Sequence, residues 1–120
     1  MDFDFSDDQE QLRDAVRKWV AKAYDFERRR GIAKASGFSR EAYGQLAELG
    51  LTGLYIPEAH DGMGMGPVEG MVVMEELGRG IVLEPLAQAL IAGAVLSGYA
   101  PPTVKAAWLP NIASGEALVV

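Results

Sequence analysis

The chain has 120 residues, 49% of them hydrophobic and 23% charged, which is enough for one globular domain with a modest core. It contains no cysteine, so disulfides, thiolate metal sites and cysteine nucleophiles are excluded. The formal net charge of −6 speaks against nucleic acid as a primary partner, because a phosphate backbone needs a basic footprint.

The acidic start, MDFDFSDDQE, lacks the basic or arginine-rich character of a signal or transit peptide, so the expected location is the cytoplasm. Ser6 and Gln9 form a capping-box pattern, with Asp7 and Asp8 in the first turn where the helix dipole favours acids. Leu12, Ala15, Val16, Trp19, Val20 and Ala23 recur at helical spacing, which predicts a helix over about 7–24. The next stretch, 25-DFERRRGIAKASG-37, is polar and broken by Gly31 and Gly37, so it reads as a connection. Arg28, Arg29 and Arg30 are expected to be a solvated helix end; an anion or an acidic partner is the alternative.

Ser39 caps a second predicted helix, about 39–49, with Tyr43, Leu46 and Ala47 inward and Gly50 at the left-handed position that ends it. The segment 51-LTGLYIP-57 reads as extended. Three alternate glycines follow, Gly62, Gly64 and Gly66, and then Pro67 at the first position of a helix over about 67–80. That helix is apolar on most sides and should be largely buried, with Arg79 pairing with Glu75 or Glu76.

Pro85 opens a helix over about 85–98, inside a run from Pro85 to Val104 that carries no charge at all. The run approaches the length of a membrane span, but its prolines and glycines favour a buried helix and a turn. A last helix, about 103–113, contains Pro110, which should kink or split it. The final 117-ALVV-120 reads as the start of a strand. These elements define an all-α fold, an irregular bundle of about five to six helices over residues 1–115. Residues 116–120 are expected to open a truncated β-domain.

No catalytic constellation emerges from the residues themselves. The glycine loop lacks the lysine of a P-loop and the strand of a dinucleotide fingerprint, so its glycines are expected to serve tight turns. His60, the only histidine, has no second ligand and no nucleophile near it in sequence. Metal, catalytic and cofactor-binding residues are therefore all assigned as none.

The combination of motifs is more specific than its parts. The segment 46-LAELGLTGLYIPEAHDGMGMGPVEGMVVMEELGR-79 resembles the amino-terminal helical domain of the acyl-CoA dehydrogenase family. That family shows E-L-G-L-x-G-L-x-x-P-E-x-x-G-G-x-G and then a helix ending E-E-L-G-R. Glu48 to Leu51, Gly53, Leu54, Pro57, Glu58, Gly62, Gly64 and Glu75 to Arg79 match it, while Asp61 stands where a loop glycine is usual. FSDDQEQLRDAVRKWV resembles the family's first helix, and KAAWLPNIASGEALVV its approach to the middle β-domain. The elements YDFERRR, GFSREAYGQLAELGL, GPVEGMVVME and LGRGIVLEPLA look like the small-subunit type of pimeloyl-CoA dehydrogenases.

The resemblance implies an FAD-dependent enzyme that removes a proton from Cα and a hydride from Cβ of an acyl-CoA and passes electrons to an acceptor. It also implies a homo-oligomer or a pairing of large and small subunits. The family's catalytic base and most of its flavin contacts lie in domains that would follow Val120. What the resemblance leaves to this domain is packing and one wall of the acyl pocket. Leu90, Gly93, Ala94 and Ser97 are the candidate wall, with ordinary core packing as the alternative reading of the same residues. A standalone helical interaction module without enzyme activity is the competing function.

Overall fold

A computed structural model describes residues 3–119. Six α-helices follow in order: α1 (Asp7–Ala23), α2 (Phe26–Ala35), α3 (Arg40–Glu48), α4 (Pro67–Arg79), α5 (Leu86–Tyr99) and α6 (Pro102–Ala113). Two short 3₁₀ turns, Leu51–Gly53 and Glu58–His60, sit between α3 and α4. No strand occurs among the described residues. The all-α reading therefore holds.

The local start and stop signals work as read. Ser6 and Gln9 close a reciprocal capping box on α1. Ser39 accepts from the Ala42 N–H at the start of α3, and Gly50 lies just past its end with φ +83°. Gly66 is the N-cap of α4, with Pro67 in its first turn.

Four expectations need correction. The stretch 25–37 is not a connection: residues 26–35 form α2, capped by the Asp25 carboxylate accepting from the Arg28 N–H at 2.8 Å. Its arginines hold it in place: Arg28 donates to the Gln45 side chain at 3.0 Å and to the Ala23 carbonyl, and Arg29 donates to the Gly80 carbonyl at 3.0 Å. Segment 51–57 is not extended. Leu51, Thr52, Gly53, Leu54 and Ile56 are buried, and a chain with no neighbouring strand must satisfy its own amides there, which it does by tight turns.

Pro110 does not split α6. The helix continues to Ala113 because Leu109, Ile112 and Ala113 are buried against Ile56 and Ala89, and Thr52 Oγ1 donates to the Ala113 carbonyl at 2.8 Å. Residues 117–119 are irregular rather than a strand, and Val120 lies outside the described residues.

The main core joins α1, α3, α4 and α5 through Val16, Leu46, Leu51, Leu54, Val73, Leu77, Leu86 and Leu90. Each such side chain contributes about 1.5–3 kcal/mol on full burial. A second cluster, Ile56, Ala89, Leu109, Ile112 and Ala113, seats α6 on α5. A third and smaller one, Tyr24, Ile32 and Ala42, lies under α2.

Candidate functional site

α5 has no charged residue, and its two faces have different company. Leu86, Ala89, Leu90 and Gly93 point into the core. Ile91, Val95 and Tyr99 lie at i, i+4 and i+8 and are exposed, Tyr99 by 88%. Beside this stripe an apolar groove of about 400 Å³ runs between α5 and α6. Ala92, Val95, Leu96, Val104, Trp108, Ile112 and Val119 line it, and Trp108 is 54% exposed.

The structure places the four candidate wall residues on different sides of α5. Leu90 is part of the main core, and Gly93 is a close-approach position: a Cβ there would meet Ile56 Cγ1 at 3.0 Å. Ala94 is exposed on the outer face. The Ser97 hydroxyl is buried with no hydrogen-bond partner among the described residues. The groove residues Val95, Leu96, Trp108 and Val119 did not stand out in sequence, because a groove between two helices has no sequence period of its own.

α4 is less buried than its composition suggests. Val72, Val73 and Leu77 face the core, but Val68, Met71 and Met74 are exposed. Val68 and Met71, with Phe3, Asp4, Phe5 and Gln9, line a second depression of about 330 Å³.

The glycine loop is closed to phosphate. Its amides are already used inside the protein: Gly62 donates to the Pro57 carbonyl, Met63 to Gly53, Gly64 to Ile56 and Met65 to Leu54, at 2.8–3.1 Å. A Cβ on Gly62 would fall 2.0 Å from the Ile56 carbonyl oxygen. Gly62 lets two backbones touch and Gly64 takes the left-handed turn at φ +61°, and the loop does not fit the pyrophosphate of a dinucleotide such as FAD. His60 ends the second 3₁₀ turn in this loop. No group of three or more potential ligands that could hold a metal occurs among the described residues.

The two buried carboxylates tie helices together. Glu76 is fully buried and pairs with Arg79 as expected. Arg17 grips it with both arms, Nε to Oε2 at 3.2 Å and Nη2 to Oε1 at 2.8 Å; Arg79 lies 3.4 Å and Arg13 3.9 Å away. The Arg17 hydrogen bonds, followed by the charges of the arginines, hold the Glu76 carboxyl below its ordinary range against the opposing effect of burial. Glu75, its neighbour, is exposed and reaches Arg13 at 3.8 Å.

Glu84 accepts from the Ser39 N–H at 2.9 Å and lies beside the Tyr24 hydroxyl. Burial, and then this carboxylate, push the Tyr24 hydroxyl up to about 12. Of the arginine cluster, Arg28 and Arg29 are committed to holding α2, and Arg30 pairs with Glu27 at 3.9 Å on the surface.

α5 is thus a charge-free helix with one face on the core and one face bare. The pattern of the acyl-CoA dehydrogenase N-terminal domain matches residues 6–116, and the chain belongs to that family. It is 33% identical over 114 residues to the acyl-CoA dehydrogenase FadE12 of Mycobacterium tuberculosis (strain ATCC 25618 / H37Rv), covering 92% of this chain and 29% of that protein. It is 40% identical over 81 residues to the (2S)-methylsuccinyl-CoA dehydrogenase of Cereibacter sphaeroides, covering 61% of this chain and 14% of that protein.

Among solved structures, the ChsE4-ChsE5 complex of Mycobacterium tuberculosis shares the fold with a TM-score of 0.80 at 23% identity, over 97% of this chain and 30% of that one. The apo form of PigA does so with a TM-score of 0.84 at 20% identity, over 98% of this chain and 32% of that one. The chain thus spans about 30% of the length of FadE12. No helix among the described residues is long and apolar enough to cross a membrane.

Proposed function

We propose that this chain acts as the amino-terminal helical domain of an FAD-dependent acyl-CoA dehydrogenase, giving one wall of the acyl pocket and the surface on which the other domains pack. The observation that carries this reading is the outer face of α5, where Ile91, Ala94 and Val95 present apolar groups with no charge from Pro85 to Val104. Ala94 is then the wall residue proper. Gly93 sets how closely α5 lies on Ile56, Leu90 anchors the helix in the main core, and Ser97 offers a hydroxyl along the same helix. Residues 1–115 form the helical domain and residues 116–120 lead toward a β-domain.

The bound flavin would accept the hydride from Cβ, and the residues that hold it lie outside this chain. Acyl-CoA as substrate, an electron-transfer acceptor, a homo-oligomer or large and small subunits, and a cytoplasmic location complete the reading.

The test is the product of the complete reading frame that contains this domain. Purified, it should carry flavin visible in its absorption spectrum and reduce an electron acceptor only when an acyl-CoA is supplied. A colourless product inactive with every acyl-CoA would sink the dehydrogenase reading. Ala94→Trp should raise KM for acyl-CoA with flavin content unchanged; an unchanged KM across short and long chains would remove Ala94 from the wall.

A further inference from the structure

α2 and the loop that precedes α5 are joined by three bonds from one short stretch of chain. Arg29, within α2, donates to the Gly80 carbonyl at 3.0 Å. The hydroxyl of Tyr24, just before α2, accepts from the Leu83 N–H at 3.1 Å. Ser39, just after it, donates its N–H to Glu84 Oε2 at 2.9 Å. Loop residues 80, 83 and 84 are therefore all held from one side.

The loop between them is strained. α4 ends in a paired hydrogen-bond motif: Ile81 N–H donates to the Gly78 carbonyl at 3.1 Å, and Val82 N–H to the Leu77 carbonyl at 3.0 Å. That motif puts the residue after the cap in the left-handed region, a place for glycine. α2 and α3 likewise have a left-handed residue just past the cap, and there it is glycine: Gly37 and Gly50, with φ +76° and +83°. At the end of α4 the residue is Ile81, at φ +49°. A β-branched side chain there crowds the following carbonyl. Ile81 is also 58% exposed, so burial does not compensate. Gly80 lies close against α1, since a Cβ on it would fall 2.4 Å from Val20 Cγ1.

α2 itself is lightly attached. It buries one residue, Ile32, while Phe26 is 61% exposed. Its linkers are Tyr24–Asp25 on one side and Ser36–Ser39, with Gly37, on the other.

We propose that α2 is a latch on the strained 80–84 loop: its docking stabilises the loop in the form that the end of α4 gives it, with Ile81 left-handed, and its release lets that loop and the start of α5 relax together. The coupling acts whatever α5 faces. Release frees the Gly80 carbonyl and Leu83 N–H to water and lets Ile81 return to ordinary φ, while the α1–α4 pair stays joined through Glu76.

Amide hydrogen exchange read residue by residue on the 120-residue chain tests this. The interior amides of α2 and the Leu83 amide should exchange at a common rate, faster than those of Val72 and Val73 in α4. Arg29→Ala should accelerate both α2 and Leu83 by about fivefold or more, the loss of one hydrogen bond, and leave Val72 and Val73 unchanged. Ile81→Gly should act in the opposite direction and slow both by about threefold or more, because it removes strain from the docked state. If Arg29→Ala accelerates α2 without Leu83, if Ile81→Gly leaves Leu83 as fast as before, or if α2 is as protected as α4, the latch does not exist.

Discussion

The closed glycine loop makes a prediction with a definite size. Gly62→Ala places a methyl carbon 2.0 Å from the Ile56 carbonyl oxygen and 2.5 Å from its carbonyl carbon. Both are main-chain atoms, so no rotamer change relieves the clash. Two backbones must separate by more than 1 Å or so to restore ordinary contact. They are joined by the bonds Met63 to Gly53, Gly64 to Ile56 and Met65 to Leu54, at 2.8–2.9 Å. Losing two of these costs about 1–3 kcal/mol, and overpacking adds about 1–3 kcal/mol. The expected destabilisation is therefore about 3 kcal/mol, or a Tm lower by about 10–15 °C for a domain of this size. Thermal and urea unfolding followed by far-ultraviolet circular dichroism would measure it. A variant within about 0.5 kcal/mol of the parent would mean that the loop is not clamped as described.

Gly78→Ala, on the exposed face of α4 with nothing within 4 Å of the added carbon, should instead stabilise by about 0.5–1 kcal/mol in the same assay. Glu76→Gln should lower Tm by about 5 °C near neutral pH, an amount limited because Arg17 and Arg79 are half-exposed to screening solvent. Glu76 is held below its ordinary value of 4.5, so its contribution is present above that value and lost as pH falls through the folded one. The fall of Tm between about pH 5 and pH 3 should accordingly be shallower in Glu76→Gln than in the parent, and an identical slope would contradict the assignment. Tyr24 titrates in the other sense. Its folded value of about 12 against 10.0 keeps the proton on, so stability is lost as pH rises through that interval, and Tyr24→Phe should flatten the alkaline limb of a Tm–pH curve.

What could be seen in the sequence was what a helix decides within one turn of itself. Ser6 with Gln9, Ser39, Gly50 and Gly66–Pro67 are local devices, and each sits where it was expected. α2 escaped because its stability is not local. Gly31 weakens it, its apolar content is low, and the arginine bonds that hold it reach to Gln45 and Gly80. Glu76 escaped for the same reason. It and Glu75 are adjacent in sequence but about 100° apart around the helix. Which of them is buried depends on Arg17, 59 residues away. Ile81 gave no signal, since an isoleucine between Gly80 and Val82 looks like the beginning of an apolar segment. Its left-handed conformation goes with the paired hydrogen bonds that end α4, from Ile81 to Gly78 and from Val82 to Leu77. Of the candidate wall, Ala94 was reachable by helical period once α5 was placed, whereas the α5–α6 groove required knowing how the two helices meet.

The distribution of polar chemistry bears on where function resides. Glu76 is consumed by three arginines, Glu84 by the start of α3, and Arg28 and Arg29 by the seating of α2. The loop amides that could have met a phosphate are spent on neighbouring carbonyls. The large apolar side chains left exposed include the stripe Ile91, Val95 and Tyr99, Trp108 at the groove beside it, and Met71 and Met74 on α4. Under the function proposed above, the domain would act through how closely α5 can be approached and how firmly the 80–84 loop holds it in place. The strain in that loop sits at one isoleucine where glycine is the unstrained choice.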